Sequence, residues 1–87
     1  MKGSLQIGQY VRALAGRDKP KVFIVVGIDG EYAYIADGKT RKIAAPKKKK
    51  VIHLQKYNRV SEEVRDRSEN DEELTDSLIR RELEGYV

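Results

Sequence analysis

The sequence contains no cysteine and a single histidine. Without cysteine the chain can form no disulfide, no thiolate metal site and no cysteine nucleophile, which fits a reducing compartment. One histidine argues against a histidine-based metal site. No apolar run approaches the roughly 20 residues of a membrane span, and the first residues form no apolar signal-peptide core. We therefore expect a cytoplasmic protein without a cofactor.

Signals for catalysis are equally scarce. His53 lies between Ile52 and Leu54 in a strand-like alternation, which is typical of a half-exposed strand residue, although a contact with phosphate is the alternative. The glycines do not form a nucleotide-binding loop pattern. The acidic residues concentrate in the C-terminal part, where the solubility of helices accounts for them. We expect no enzymatic activity.

Charge is distributed unevenly along the chain. Residues 1–60 contain 14 lysines and arginines against 4 acidic residues, a net charge of +10. Residues 61–87 contain 4 against 10, a net charge of −6. Such an asymmetry indicates that the partner of the basic part is nucleic acid or another anionic surface.

Five short segments in the basic part have the character of β-strands. Asp29-Gly30 separates the second from the third and is a strong hairpin signal, because glycine tolerates positive φ. The second segment is apolar at nearly every position, which predicts a strand buried on both faces. Turns every 8–12 residues predict a mostly β protein with a small five-stranded barrel. The predicted strands are Gln9–Leu14, Val22–Ile28, Tyr32–Ala36, Arg41–Ala44 and Val51–Lys56.

The predicted core follows the alternation of these strands. A register slip of one residue would exchange the two faces, so the core assignment depends on the register. The predicted core residues are Val11, Ala13, Ile24, Val26, Ala33, Ile35, Ile43, Ile52 and Leu54.

The C-terminal part reads as two short helices. Ser61 and Thr75 are candidate N-caps, and the residues after Ser61 include acids that favour a helix start. Leu78, Ile79 and Leu83 would share one apolar side. We therefore predict a barrel over residues 5–58 and an acidic helical tail over residues 59–87. Three roles are open for the tail: packing on the barrel, binding a protein partner, or competing with RNA for the basic surface.

The basic residues gather around the predicted loops. Neutralising phosphates at such a surface releases condensed counterions, a large favourable contribution to binding. Tyr32 and Tyr34 share a strand face and either stack on unpaired bases or, with the other tyrosines, bury their rings against the helices. RNA is preferred over DNA, because the predicted helices are acidic and would be repelled from a major groove.

The stretch from Ile7 to Lys19, followed by Val22–Ile28, resembles a KOW motif, in which two strands and a glycine-containing loop form part of an SH3-like barrel that contacts RNA. Gly16 matches the glycine of that motif. Asp37-Gly38, Arg41-Lys42-Ile43, the lysine run and His53-Leu54 are similar to KOW proteins of the archaeal and eukaryotic large ribosomal subunit, and to short bacterial KOW-domain RNA-binding proteins. The family usually has glycine where this chain has Pro20, which removes one N–H donor from the loop.

The resemblance, which covers residues 5–58, implies a non-catalytic, ribosome-associated protein that binds large-subunit rRNA through basic loops and acts in translation. Gly16 would shape the loop and His53 would add a contact. The alternative is a module that binds an acidic protein partner in transcription or translation. The predicted RNA-binding residues are Arg12, Gly16, Arg17, Lys19, Lys21, Lys39, Arg41, Lys42, Lys47, Lys48, Lys49, Lys50 and His53.

Overall fold

The computed structural model describes residues 5–13 and 21–86, and it confirms a mostly β protein with five strands. The strands form one antiparallel sheet in the order β4-β3-β2-β1-β5, consistent with a small barrel-like fold. The strands are β1 Gln9–Ala13, β2 Val22–Asp29, β3 Tyr32–Ala36, β4 Lys47–Lys50 and β5 Leu54–Val60. The helices are a 3₁₀ helix Val51–His53, α1 Glu62–Glu69, α2 Asp76–Glu82 and a second 3₁₀ helix Glu84–Tyr86.

The sheet buries side chains on both of its faces. Phe23 and Val25 of β2 belong to a cluster made mainly of strand residues, which we call the strand cluster. Ile24, between them, points to the opposite face and packs with residues of α1 and α2 in the helix cluster. The apolar run of β2 is therefore buried on both faces, as predicted. The buried residues of the strand cluster are Val11, Phe23, Val25, Ala33, Ile35 and Leu54, and those of the helix cluster are Tyr10, Ile24, Val64, Leu78, Ile79 and Leu83.

The second half of the sheet differs from the prediction. The strand predicted over Arg41–Ala44 is wrong, since these residues lie in turns and bends. The lysine run instead forms β4, which pairs with β3 through the backbone and needs no apolar side chains to do so. Lysine is common on edge strands, where its charge opposes pairing with another chain. Ile52, a predicted core residue, lies in the 3₁₀ helix and is 74% exposed.

The turn between β2 and β3 confirms the hairpin signal. Gly30 has a φ of +60° and begins a two-residue loop between the paired residues Asp29 and Tyr32. A register shift between Val25 and Gly27 marks a β-bulge within the same hairpin.

The C-terminal helices form part of the folded domain rather than a detached tail. The predicted caps are confirmed: the Ser61 hydroxyl accepts from the Val64 N–H, and the Thr75 hydroxyl accepts from the Leu78 N–H. Tyr10 of β1 donates its hydroxyl to the Glu82 carbonyl at 2.8 Å. The boundary predicted between residues 58 and 59 falls within β5. No helix in the described ranges is long and apolar enough to cross a membrane.

Candidate nucleic-acid interface

Cationic residues from three separate segments meet at one end of the sheet. Lys21 immediately precedes β2, Arg41 lies between β3 and β4, and Lys47 begins β4. The antiparallel pairings place the start of β2, the end of β3 and the start of β4 at this same end. Lys49 is on the same face of β4 as Lys47, because side chains alternate along a strand. We call Lys21, Arg41, Lys47 and Lys49 the cationic cluster.

The pKa of Lys47 is lowered in this environment. It is lowered first by burial, and then by the positive charges of Lys49, Arg41 and Lys21. Like charges disfavour the protonated form of an amine, so the shift indicates that these groups lie close enough to repel one another. An anion placed among them would relieve the repulsion.

The basic residues of this end have no acidic partners within the described part of the chain. The four salt bridges there all lie within the C-terminal helices and use Arg65, Arg67 and Arg81. None of them involves the cationic cluster or its exposed neighbours Lys39 and Lys42. A surface with ordinary mixing of charges would pair some of these cations, so the positive charge at this end is not balanced by salt bridges among the described residues.

The other two lysines of β4 point to the opposite face of the sheet. Lys48 lies directly opposite Tyr34, and Lys50 lies opposite Tyr32. The Lys48 ammonium is 4.5 Å from the centroid of the Tyr32 ring, a cation–π contact. The cross-strand neighbour of Tyr32 on β2 is an acid, Asp29. We call Tyr32, Tyr34, Lys48 and Lys50 the tyrosine face; it is less positive than the cationic cluster.

Arg12 lies at the same end of the sheet as Lys21, because it is paired directly with Val22. Arg12 donates to the Gln55 side-chain oxygen at 2.6 Å across β1 and β5. His53 is exposed at the end of the first 3₁₀ helix. Gly16, Arg17 and Lys19, which carry the loop of the predicted motif, lie outside the described residues.

The helical layer holds the basic segment between β3 and β4 in place. Arg80 of α2 donates to the Gly38 carbonyl at 2.7 Å, and the Asp76 carboxylate accepts from the Ile43 N–H at 2.8 Å. Gly38 has a φ of +79°, and a Cβ there would lie 2.6 Å from the Asp76 carbonyl oxygen. The sequence gives no sign of these roles of Asp76 and Arg80, because both form hydrogen bonds with residues far away in the chain.

Three of the tyrosines serve packing. Tyr10 is fully buried, and its ring centroid is 5.1 Å from that of Tyr86, which also contacts Tyr57 at 5.8 Å. Arg59 donates to the Tyr86 hydroxyl at 3.2 Å, which raises the arginine pKa. The alternative that tyrosines pack against the helices is therefore correct for Tyr10 and Tyr57, whereas Tyr32 and Tyr34 are half-buried beside β4.

The chemistry available at this end is binding of anions. Among the described residues, no group of three or more histidine, cysteine or acidic side chains is placed to hold a metal ion. Comparison of the sequence with models of protein families gives no match, and comparison with curated proteins gives none either.

Proposed function

We propose that this protein is a non-catalytic RNA-binding protein that docks onto structured RNA, with large-subunit rRNA the expected target. The observation that carries the proposal is the clustering of Lys21, Arg41 and Lys49 around Lys47, with no salt bridge to any of the four among the described residues. RNA presents a row of phosphate anions that such a cluster would neutralise. Binding there would release counterions from the RNA.

The preference for RNA rests on the shape of the molecule and on the resemblance to KOW proteins. The cations lie on a β-strand and on loops, whereas α1 and α2 carry acidic first turns. No described element therefore offers a basic helix for the DNA major groove. The KOW resemblance supplies the expectation of rRNA, of ribosome association and of a role in translation.

The proposal is tested by measuring affinity for a structured rRNA fragment and for duplex DNA of equal length over a salt series. We expect preference for RNA and a slope of log K against log salt of roughly −3 to −5, from about 0.7–0.9 per phosphate neutralised. Weak, equal binding of both nucleic acids, at about 10⁻⁴ M at physiological salt, would contradict it.

A charge-matched pair of variants controls for general electrostatics. Lys21→Gln/Arg41→Gln removes two charges from exposed residues of the cationic cluster, which form no salt bridge with another described residue. Arg65→Gln/Arg67→Gln removes the same charge from helix α1, where both arginines have acidic partners. We expect the first variant to lose more RNA affinity than the second; equal losses would show that only net charge matters.

A protein-interaction module is the second candidate function, with an acidic partner bound at the same cations. The observation in its favour is the exposure of two large hydrophobic residues, Ile28 and Ile52. The two candidates separate on purification of the full chain. Copurifying material with a high ratio of absorbance at 260 nm to 280 nm, abolished by ribonuclease, supports RNA, whereas a nuclease-resistant acidic protein partner supports the alternative.

A further inference from the structure

A groove of about 650 Å³ lies between the β3–β4 segment and the C-terminal helices. One wall carries Lys39 and Thr40, the other wall comes from α2 and the second 3₁₀ helix, and Lys21 contributes from the start of β2. The volume falls within the roughly 300–1,000 Å³ of small-molecule sites in proteins. Since Lys21 also belongs to the cationic cluster, the groove opens beside the candidate RNA surface.

The lining combines positive charge with apolar and aromatic surface. It includes Lys21, Lys39, Arg80 and Arg81 against the acids Asp37 and Glu84, so cations exceed acids by four to two. One oxygen of the Asp37 carboxylate already accepts the N–H groups of Lys39 and Arg41, at 2.9 and 2.8 Å. These hydrogen bonds leave the charge of Asp37 in place, and Arg81 is itself paired with Glu63 and Glu82, so the positive charge offered to a ligand comes from Lys21, Lys39 and Arg80.

The apolar part of the lining comes from Val22, Leu83 and Tyr86. Tyr86 is held by the ring of Tyr10 at 5.1 Å and by the hydrogen bond from Arg59. The Arg59 guanidinium lies 5.5 Å from the Tyr86 ring centroid, so a base would contact the part of the ring that lines the groove, which is already fixed and costs little entropy to order. Flanking lysines are suited to a phosphate attached to that base.

The groove walls are also fixed relative to each other. Arg80 links α2 to the Gly38 carbonyl, and Gly38 packs so closely that a Cβ would lie 2.9 Å from the Arg80 Cγ. A site whose walls need no rearrangement spends little binding free energy on ordering.

We propose that this groove takes a single unpaired nucleotide, with its base against Tyr86 and Leu83 and its phosphate beside Lys21 and Lys39. The inference rests on the proposed RNA function and deepens it. The cationic cluster would hold the phosphate backbone of a structured RNA, and the groove would accept one nucleotide that is not base-paired. RNA with unpaired bases would then be preferred over a continuous duplex.

The test uses the full chain, adenosine monophosphate as the probe and amide chemical shifts as the readout. We expect adenosine monophosphate to shift the amides of Thr40, Ser77 and Leu83, with a dissociation constant of about 1–10 mM, as for a fragment-sized ligand. Inorganic phosphate at the same concentration should shift the amides of Lys21 and Lys39 and leave Leu83 unchanged. Identical responses to both probes would overturn the proposal, because no base would be held.

Two substitutions at Thr40 that differ in charge test where the phosphate lies in the groove. Thr40 is exposed, so neither Thr40→Glu nor Thr40→Gln should unfold the chain. We expect Thr40→Gln to retain the affinity for adenosine monophosphate, and Thr40→Glu to weaken it about fivefold by repelling the phosphate. Equal affinities for the two variants would contradict the placement of the phosphate.

The outcomes separate the groove from the RNA function. Binding of the rRNA fragment with no shift at Leu83 would overturn the groove and leave the RNA function standing. Shifts at Leu83 without binding of the rRNA fragment would support the groove as a nucleotide site and overturn the RNA function. Stronger shifts with tetraglutamate peptide than with adenosine monophosphate would overturn the nucleotide assignment in favour of an acidic protein segment.

Discussion

The basic end of the sheet and the acidic helical layer differ in whether their cations are paired with acids. In the helices, Glu63 binds both Arg67 and Arg81, so cations are paired with nearby acids. At the end of the sheet, Lys47 is surrounded by further cations, and its pKa is lowered in part by their charge. Arg65, Arg67 and Arg81 of the helical layer thus have acidic partners, whereas no salt bridge among the described residues includes a member of the cationic cluster.

The acidic segment, residues 61–87, packs against the sheet and, within the described residues, does not cover the cationic cluster with ion pairs. It packs on the sheet through Val64, Leu78, Ile79 and Leu83, and its acids form no ion pair with the lysines of β4. Deleting residues 61–87 would remove four of the six buried residues of the helix cluster, so truncation cannot test competition with RNA. Substitutions within the intact chain are needed to test the roles of the helical layer and the cationic cluster.

The largest effect is expected where the helical layer meets the sheet. Ile79 is fully buried in the helix cluster, and Ile79→Ala should lower the free energy of unfolding by about 2–5 kcal/mol. Ile52→Ala is the control, because Ile52 is exposed and should change stability by less than about 0.5 kcal/mol. Chemical denaturation measures both. A change as small for Ile79→Ala as for Ile52→Ala would mean that packing of the helices on the sheet contributes little to stability.

A smaller loss is expected at the link between α2 and the basic segment. Gly38→Ala places a Cβ at positive φ and against the Asp76 carbonyl, which should cost at least about 1–2 kcal/mol in strain. Gly30→Ala is a useful control, since Gly30 also has positive φ but a Cβ there would meet no atom within 4 Å. Thermal unfolding compares them. Equal destabilisation would show that the packing of Gly38 against α2 adds nothing.

Removing the hydroxyl of Tyr10 should cost about 1 kcal/mol, the usual net value of one hydrogen bond. Burial, followed by the charge of Glu82, raises the pKa of Tyr10 above 10.0. The folded state therefore retains the proton more strongly than the unfolded state, and stability falls as pH rises from 10 through the folded pKa. Tyr10→Phe should lack this alkaline loss, which denaturation at pH 8 and pH 11 would reveal; an unchanged pH profile would contradict the assignment.

The smallest effect concerns the protonation of Lys47. Because Lys49 lowers the pKa of Lys47 more than any other charge does, Lys49→Gln should raise that pKa towards 10.5. Lys50→Gln, on the opposite face of β4, should leave it unchanged. Titration of the Lys47 side chain by NMR measures both shifts. Equal responses to the two substitutions would contradict the grouping of Lys47 with Lys49.

Local signals predicted much of this fold. The hairpin at Asp29-Gly30, the caps Ser61 and Thr75, and the apolar side of α2 all follow from a few adjacent residues. The strand at Lys47–Lys50 could not be predicted in this way, because its extended form comes from pairing with β3 rather than from its own side chains. The 3₁₀ helix that exposes Ile52 likewise interrupts an alternation that predicts a strand.

The sequence predicted which residues the candidate site contains, but not how the fold places them relative to one another. The excess of cations indicated an anionic partner, and the resemblance to KOW proteins named RNA. The division of the lysine run between two faces depends on the register of β4, and the anchoring of Gly38 by Arg80 joins residues 42 positions apart. Neither is visible in a local pattern.

The central claim, that the cationic cluster rather than basic charge in general binds RNA, is tested most directly within β4. Lys47→Gln/Lys49→Gln and Lys48→Gln/Lys50→Gln remove equal charge from the same four residues, but from opposite faces of the strand. We expect the first variant to reduce the magnitude of the salt slope for the rRNA fragment by about 1.5, near 0.7–0.9 per lost phosphate contact, and the second to change it by less than half as much. Equal reductions for the two variants would contradict the account.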